Sequence, residues 1–323
     1  MTRISDDRDT PADHDALVAR VLDRPGVVLL LGDVDTGKTS LARRLLTEAS
    51  AAGLSCAYLD ADLGQPVAAE PGVVGLLHLP APDGGDREAA AQRRRLEPPI
   101  VPDARSFVGS LDVTGHGMAL ISATAHLLIR LRAAAQAVPT RGTGMPDLVV
   151  VDTPGFVAGV AGQELAFHLM RLVAPDHVVG LARGLELEQV LGVTRRFSRA
   201  EVLQLEVASA TEPKGLLERV EARRAAFARV FGGELHRFRV RPGVFMPAIA
   251  SGLSPALLHR LVVGLEDGNG GCPGIGLLEA DGDGLRLITP VATPPSGLRL
   301  GSIRLAADFT PRPVDLRQVL QSA

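Results

Sequence analysis

Gly32, Gly37, Lys38 and Thr39 stand at the fixed positions of the pattern G-x-x-x-x-G-K-[ST]. Those residue types suit one task, the grip of a polyphosphate. Glycines let the backbone turn tightly, so that the N–H groups of Asp33, Val34, Asp35 and Thr36 can wrap a phosphate. A helix opening at Lys38, with Ser40 in its first turn, would point its positive end at the same anion. The Lys38 ammonium would reach the β- and γ-phosphates, and the Thr39 hydroxyl would bind Mg²⁺.

Three further groups of residues could act on a nucleotide held there. Asp60-Ala61-Asp62-Leu63-Gly64-Gln65 follows an apolar run. One of its carboxylates can hold Mg²⁺ through water, and the other can accept a proton from an attacking hydroxyl. Asp152-Thr153-Pro154-Gly155-Phe156 follows a second apolar run. A GTPase-like switch or metallochaperone would use such an Asp-x-x-Gly to sense the γ-phosphate, but it would also carry an Asn-Lys-x-Asp guanine reader. After the run His177–Ala182 the chain reads Arg183-Gly184-Leu185-Glu186 instead. Arg219 and Arg223 are four residues apart, so they share a helical face and could fork onto phosphate oxygens. Arg195 and Arg199 have the same spacing. His116 stands alone near a helix start and stays outside the catalytic set.

The elements that must position these groups alternate between strand and helix. Val27–Gly32 reads as the strand before the phosphate loop, and Lys38–Ala51 as the helix after it, with Leu41, Leu45 and Leu46 at helical spacing. Ser55–Leu59, Gly75–Leu79, Asp147–Val151, His177–Ala182 and Ala200–Val207 read as further strands. Asp15–Leu22, Met118–Ala137 and Leu216–Phe231, the last introduced by Pro213, read as helices. This alternation predicts an α/β domain with a mainly parallel sheet flanked by helices, with ligands outside the carboxyl ends of the strands. Ala81–Pro99, with Arg93, Arg94 and Arg95, is a hydrophilic insert. From His236 onward, short strands separated by Gly, Asp and Pro predict a small β-rich domain, with a hairpin at Asp281-Gly282-Asp283-Gly284. The expected organisation is a tail at 1–14, a phosphate-loop domain at 15–235 that includes the arginine helix, and the β-rich domain at 236–323.

Composition narrows the classes of function. Hydrophobic residues make up 46% of the chain and charged residues 22%, enough for a packed core. The net charge is −3, so any hold on nucleic acid must be local. Cys56 and Cys272 are far apart and lack metal-ligand spacing, which fits a cytoplasmic protein. No run is long enough to span a membrane, and the N-terminal stretch is polar and acidic rather than signal-like.

Taken in order, the loop at Gly32–Thr39, the Asp60–Gln65 string, Thr153–Phe156 and the arginine helix resemble the polynucleotide 5′-hydroxyl kinases of the Clp/Grc family, in a compact prokaryotic-type form. The resemblance extends through Arg105–Ser110, Gly274–Leu277 and Leu287–Pro290 and covers about residues 25 to 306. It implies a P-loop kinase that moves the γ-phosphate of ATP, with Mg²⁺, to the 5′-hydroxyl end of a nucleic acid, RNA ahead of DNA. It implies that Asp62 is the general base and Asp60 lies in the Mg²⁺ shell, two roles that are exchangeable at this level. It implies that Gln65, Thr153, Pro154, Gly155 and Phe156 hold the acceptor, and that Arg219 and Arg223 form a lid over the triphosphate. Phe156 stands where many members of the family carry Trp or Tyr. A small-metabolite kinase, and a module that binds without transfer, are the other readings.

Overall fold

The computed structural model describes residues 14–81, 87–98, 100–136, 145–207, 215–250, 252–282 and 284–321. The expected tail lies outside them except for His14, as do Pro213, Asp283 and part of the hydrophilic insert.

In chain order, α1 (His14–Asp23) leads to β1 (Val27–Gly32), α2 (Lys38–Ala51), β2 (Cys56–Asp60) and β3 (Val73–Leu79). There follow α3 (Arg87–Arg94) within the hydrophilic insert, β4 (Ala104–Phe107), α4 (Gly117–Gln136) and β5 (Leu148–Asp152). Next come α5 (Gly159–Val173), β6 (His177–Ala182), α6 (Glu188–Phe197), β7 (Glu201–Glu206) and α7 (Leu216–Phe231). The remainder is rich in strands: β8 (His236–Val240), β9 (Phe245–Met246), β10 (Leu261–Glu266), β11 (Ile275–Asp281), β12 (Gly284–Thr289), β13 (Gly297–Leu305) and β14 (Pro311–Pro313), ending in α8 (Leu316–Gln321). The expected elements are present, with ends shifted by a few residues. α3, β4 and α8 are additional, as are α5 and α6. Neither α5 nor α6 has a side-chain N-cap, and α5 opens on Gly159 and Gly162, so the usual start signals are missing.

Two compact units emerge, each from three segments of chain. The first has bounds Met1–Tyr58, Leu79–Arg95 and Val138–Pro213. Its strands lie in the order β2-β5-β1-β6-β7. β1 pairs in parallel with β5 on one side and β6 on the other, and β6 pairs in parallel with β7. A strand buried between parallel neighbours must be apolar on both faces, which explains the unbroken VVLLL of β1 and LVVV of β5. Asp147 ties the start of β5 to β2, its carboxylate accepting from the Ser55 amide (2.8 Å) and hydroxyl (2.6 Å). The register sets Leu30 beside Asp152, so the loops after β1 and β5 leave from neighbouring strand ends.

The second unit has bounds Leu59–His78, Leu96–Ala137 and Lys214–Ala323. β3 and β4 pair antiparallel, and the larger sheet runs β14-β13-β10-β11-β12-β8, with β9 added in parallel to β13. This division differs from the expected single break near 235. The reason is a shared core: Val73, Phe107, Phe227 and Phe231 cluster with Val262, Ile275, Leu277, Ile303 and Leu305. Burying those side chains groups β3, β4 and α7 with the C-terminal strands. Glycines allow the close packing. A Cβ at Gly264 would lie 2.3 Å from Phe107 Cγ, and one at Gly301 would lie 2.9 Å from the same ring. Among the described residues, no helix is long and apolar enough to cross a membrane.

Candidate active site

In the first unit the chain leaves β1 at Gly32 and turns through Asp35, which is left-handed at φ 56°, to Gly37 at φ 90°. A side chain at Gly32 would place its Cβ 2.5 Å from Thr36 Oγ1 and 2.8 Å from the Leu181 carbonyl, so glycine is required there by space as well. Gly37 is the N-cap of α2 and offers no side-chain acceptor, which leaves the first-turn N–H groups to serve an anion. Lys38 is buried. Its Nζ donates to the carbonyls of Gly32 (2.9 Å) and Asp33 (2.7 Å), holding the ammonium across the mouth of the loop. The Thr36 hydroxyl donates to the Asp33 carbonyl (2.9 Å), the Val34 amide donates to Asp33 Oδ1 (2.6 Å), and Ser40 lies exposed in the first turn of α2.

Thr39 Oγ1 donates to Asp152 Oδ2 (2.7 Å), and the Tyr58 hydroxyl donates to the same oxygen (3.0 Å). Asp152 is 1% exposed. A hydroxyl and a carboxylate side by side at the end of the strand next to β1 form an all-oxygen pair, the donor chemistry Mg²⁺ takes. Among the described residues there is no cluster of three or more His, Cys, Asp and Glu. The turn after Asp152 packs on the phosphate loop. The Thr153 hydroxyl donates to the Leu30 carbonyl (2.6 Å), and a Cβ at Gly155 would lie 2.5 Å from Val34 N. Pro154 is buried, and Phe156 is half-buried. At the end of β6, the Arg183 guanidinium donates to the carbonyls of Val34 (3.4 Å) and Asp35 (2.5 Å).

In the second unit the two carboxylates of the Asp60–Gln65 string differ sharply. Asp60 is 1% exposed, and both of its oxygens are engaged: Oδ1 accepts from the Asp62 amide (3.2 Å), and Oδ2 from those of Val67 (2.7 Å) and Ala68 (2.9 Å). It braces its own loop. Asp62 is half-buried. Its Oδ1 accepts from the amides of Gly64 (2.9 Å) and Gln65 (3.3 Å), and among the described residues nothing donates to its Oδ2. Gln65 is half-buried in the same turn.

On α7, Arg219, Arg223, Phe227 and Phe231 recur every four residues, so the stripe that anchors the helix in the core also carries the arginines inward. Arg223 Nε donates to the Gly64 carbonyl (2.9 Å). Burial lowers the pKa of the Arg223 guanidinium. The Asp62 carboxylate opposes that shift, neighbouring Arg219 adds to it, and Asp112 opposes it. The two cysteines supply no nucleophile, since burial pushes the Cys56 thiol up to about 11 and that of Cys272 up to about 12.

The family model for the P-loop of mRNA cleavage and polyadenylation factor CLP1 matches residues 32–233, more than half of the chain. The chain belongs to this CLP1 P-loop family. A polyribonucleotide 5′-hydroxyl-kinase of Pyrococcus furiosus is 28% identical over 185 residues, 57% of this chain and 46% of its own. A protein of the same description from Pyrococcus horikoshii is 27% identical over 213 residues, 65% of this chain and 51% of its own. One from Methanocaldococcus jannaschii is 27% identical over 168 residues, 52% and 40%. The chain thus spans about half the length of the curated relatives it matches. A solved structure of the wild-type Clp1p–Pcf11p complex has the same fold, with TM-score 0.68 and 14% identity over 90% of this chain and 77% of that one.

The hydrogen bonds set several of the expected site residues apart. Asp60, expected in the Mg²⁺ shell, spends its oxygens on three backbone amides, while Asp152 reaches Thr39. The Thr153 hydroxyl, expected at the acceptor, is bonded to β1. Tyr58 and Arg183 are not among the expected site residues, and Asp152 enters the sequence reading only as the acid of an Asp-x-x-Gly that could sense the γ-phosphate. Asp152 had a usable signal, an acid closing an apolar strand. Tyr58 and Arg183 had none, because their partners are distant in sequence.

Proposed function

We propose that this chain is an ATP-dependent polynucleotide 5′-hydroxyl kinase that acts on RNA ends. The observation that carries the reading is the Thr39–Asp152 pair within a phosphate loop that is closed by Lys38. The motif order and the names of the relatives support the acceptor class. In this reading the amides of residues 33–38 and the Lys38 ammonium bind the triphosphate of ATP. Mg²⁺ would be held by Thr39 and Asp152, where it supplies neutralisation of phosphate charge. The 5′-oxygen of the acceptor attacks the γ-phosphorus, the bond to the β–γ bridging oxygen breaks, and ADP leaves. Asp62, with Oδ2 uncommitted, accepts the hydroxyl proton; Asp60 holds the loop that presents Asp62. Arg219 and Arg223 offset charge on the group in transfer. Phe156 stacks on the terminal base without reading its identity, Gln65 lines the acceptor, and Thr153, Pro154 and Gly155 shape the turn.

The test uses γ-labelled ATP or GTP with Mg²⁺ and RNA and DNA oligonucleotides that end in a 5′-hydroxyl or a 5′-phosphate. Label is expected only on 5′-hydroxyl ends, from ATP, with RNA preferred. Phosphate release that ignores the acceptor and favours GTP would overturn the reading in favour of a switch.

A further inference from the structure

The Arg195-x-x-x-Arg199 spacing is left over once Arg219 and Arg223 are assigned to the lid. Arg195 lies in α6 and Arg199 just beyond its end, both within the first unit. α6 buries Val190, Leu191 and Thr194, and Phe197 continues that stripe three residues on. There the stripe leaves the core, and the Phe197 ring stays 58% exposed. It meets the edge of Phe167, with ring centroids 5.6 Å apart and planes at 85°. The Arg171 guanidinium sits 5.9 Å from the Phe167 centroid. Arg195 and Arg196 close the last turn of α6, Arg199 follows two residues beyond Phe197, and all of these arginines are exposed. Glu164 and Glu188 are the acidic residues of α5 and α6.

Cations in the last turn of a helix offset its dipole, and that accounts for Arg171 on α5 and for Arg195 and Arg196 on α6. It does not account for an exposed aromatic face among four arginines in a chain of net charge −3. A stackable ring with guanidinium groups around it is how single-stranded nucleic acid is held without regard to sequence. The position fits as well. α5 begins three residues after Phe156, and Phe167 lies about 12 Å along it, a few nucleotides from the turn assigned to the acceptor's end.

We propose that the Phe167–Phe197 patch and its arginines bind the body of a single-stranded polynucleotide, downstream of the 5′ end being phosphorylated. The proposal rests on the kinase reading for its substrate, but it has its own readout. The chain contains no tryptophan, so Phe197→Trp places a single tryptophan in the patch, excited selectively at the red edge beyond the absorption of the one tyrosine. Titration of that variant with a 5′-phosphorylated oligouridylate is expected to quench its emission saturably. The quenching should weaken as salt rises, and it should weaken when Arg195→Ala and Arg199→Ala are added. In phosphoryl transfer, Phe197→Ala and the double arginine variant should each lower kcat/KM for a 20-nucleotide acceptor about tenfold relative to that for a trinucleotide. An emission that ignores oligonucleotide would overturn the proposal, as would one that changes with protein concentration alone, which would mark a contact between copies. So would an unchanged long-to-short ratio. If the unmodified chain phosphorylates no acceptor, the kinase reading fails, while the titration still decides whether the patch takes RNA.

Discussion

Gly155→Ala tests the packing of the Asp152–Phe156 turn on the phosphate loop. The added Cβ would stand 2.5 Å from Val34 N and Cγ2 and 2.8 Å from Val34 Cα. Ordinary contacts of this kind are about 3.5–4 Å, so something must move by about 1 Å. The turn is the firmer side: Thr153 is bonded to β1 through the Leu30 carbonyl, and Pro154 is buried. Val34 is the softer side, 36% exposed and on a loop. The displacement therefore falls on the phosphate loop, whose amides must stay aligned with the nucleotide. A shift of that size is worth about 100-fold in rate, and the overpacking costs about 1–3 kcal/mol of stability. Steady-state kcat/KM for ATP with a 5′-hydroxyl RNA, together with a thermal melt, measures both. Gly192→Ala is the matched control. Apart from its chain neighbours and the helix's own backbone, nothing lies within 4 Å of its added Cβ on α6, so it should gain about 0.5–1 kcal/mol through helix propensity. A Gly155→Ala variant with wild-type kcat/KM and an unshifted melt would refute the steric argument.

Other predictions follow from the same geometry. Lys38→Ala should remove turnover, measured by label transfer; residual activity above a few per cent of wild type would contradict the loop assignment. Asp152→Asn should raise the Mg²⁺ concentration needed for half-maximal activity. Asp60→Asn should lose about 2 kcal/mol of stability as its charged acceptor for backbone amides is lost, with the Mg²⁺ requirement nearly unmoved. Equal Mg²⁺ requirements in the two variants would remove the distinction. The Ser55 hydroxyl and amide hold the Asp147 carboxyl below its usual value. A carboxylate depressed in the folded state stabilises fully above the ordinary carboxylate range, and that stability is lost as pH falls through the lower folded value. Asp147→Asn should therefore flatten the acid limb of stability against pH, and a limb identical to wild type would show that the tie between β2 and β5 contributes nothing there.

The sequence by itself determined the parts of this protein that depend on near neighbours in the chain. Gly37 is demanded by a left-handed turn, and Gly32 by the Thr36 hydroxyl four residues on. The apolar runs of β1 and β5 and the four-residue recurrence of Arg219, Arg223, Phe227 and Phe231 announce buried strands and an anchored helix. The Asp281–Gly284 hairpin is a matter of turn chemistry. Only the tertiary structure decided how side chains remote in sequence divide the work. Parallel pairing of β1 with β5 brings Asp152 to Thr39, 113 residues away, and Tyr58 to the same oxygen from β2. Local pattern treats Asp60 and Asp62 alike. The fold separates them by burial, since the amides of Val67 and Ala68 turn back onto Asp60 and leave Asp62 with an oxygen to spare. The placing of β3, β4 and α7 with the C-terminal strands was likewise set by a shared apolar core. Hydrophobic burial has no direction along the chain, so a periodic sequence says which face will be buried but not which partner will cover it.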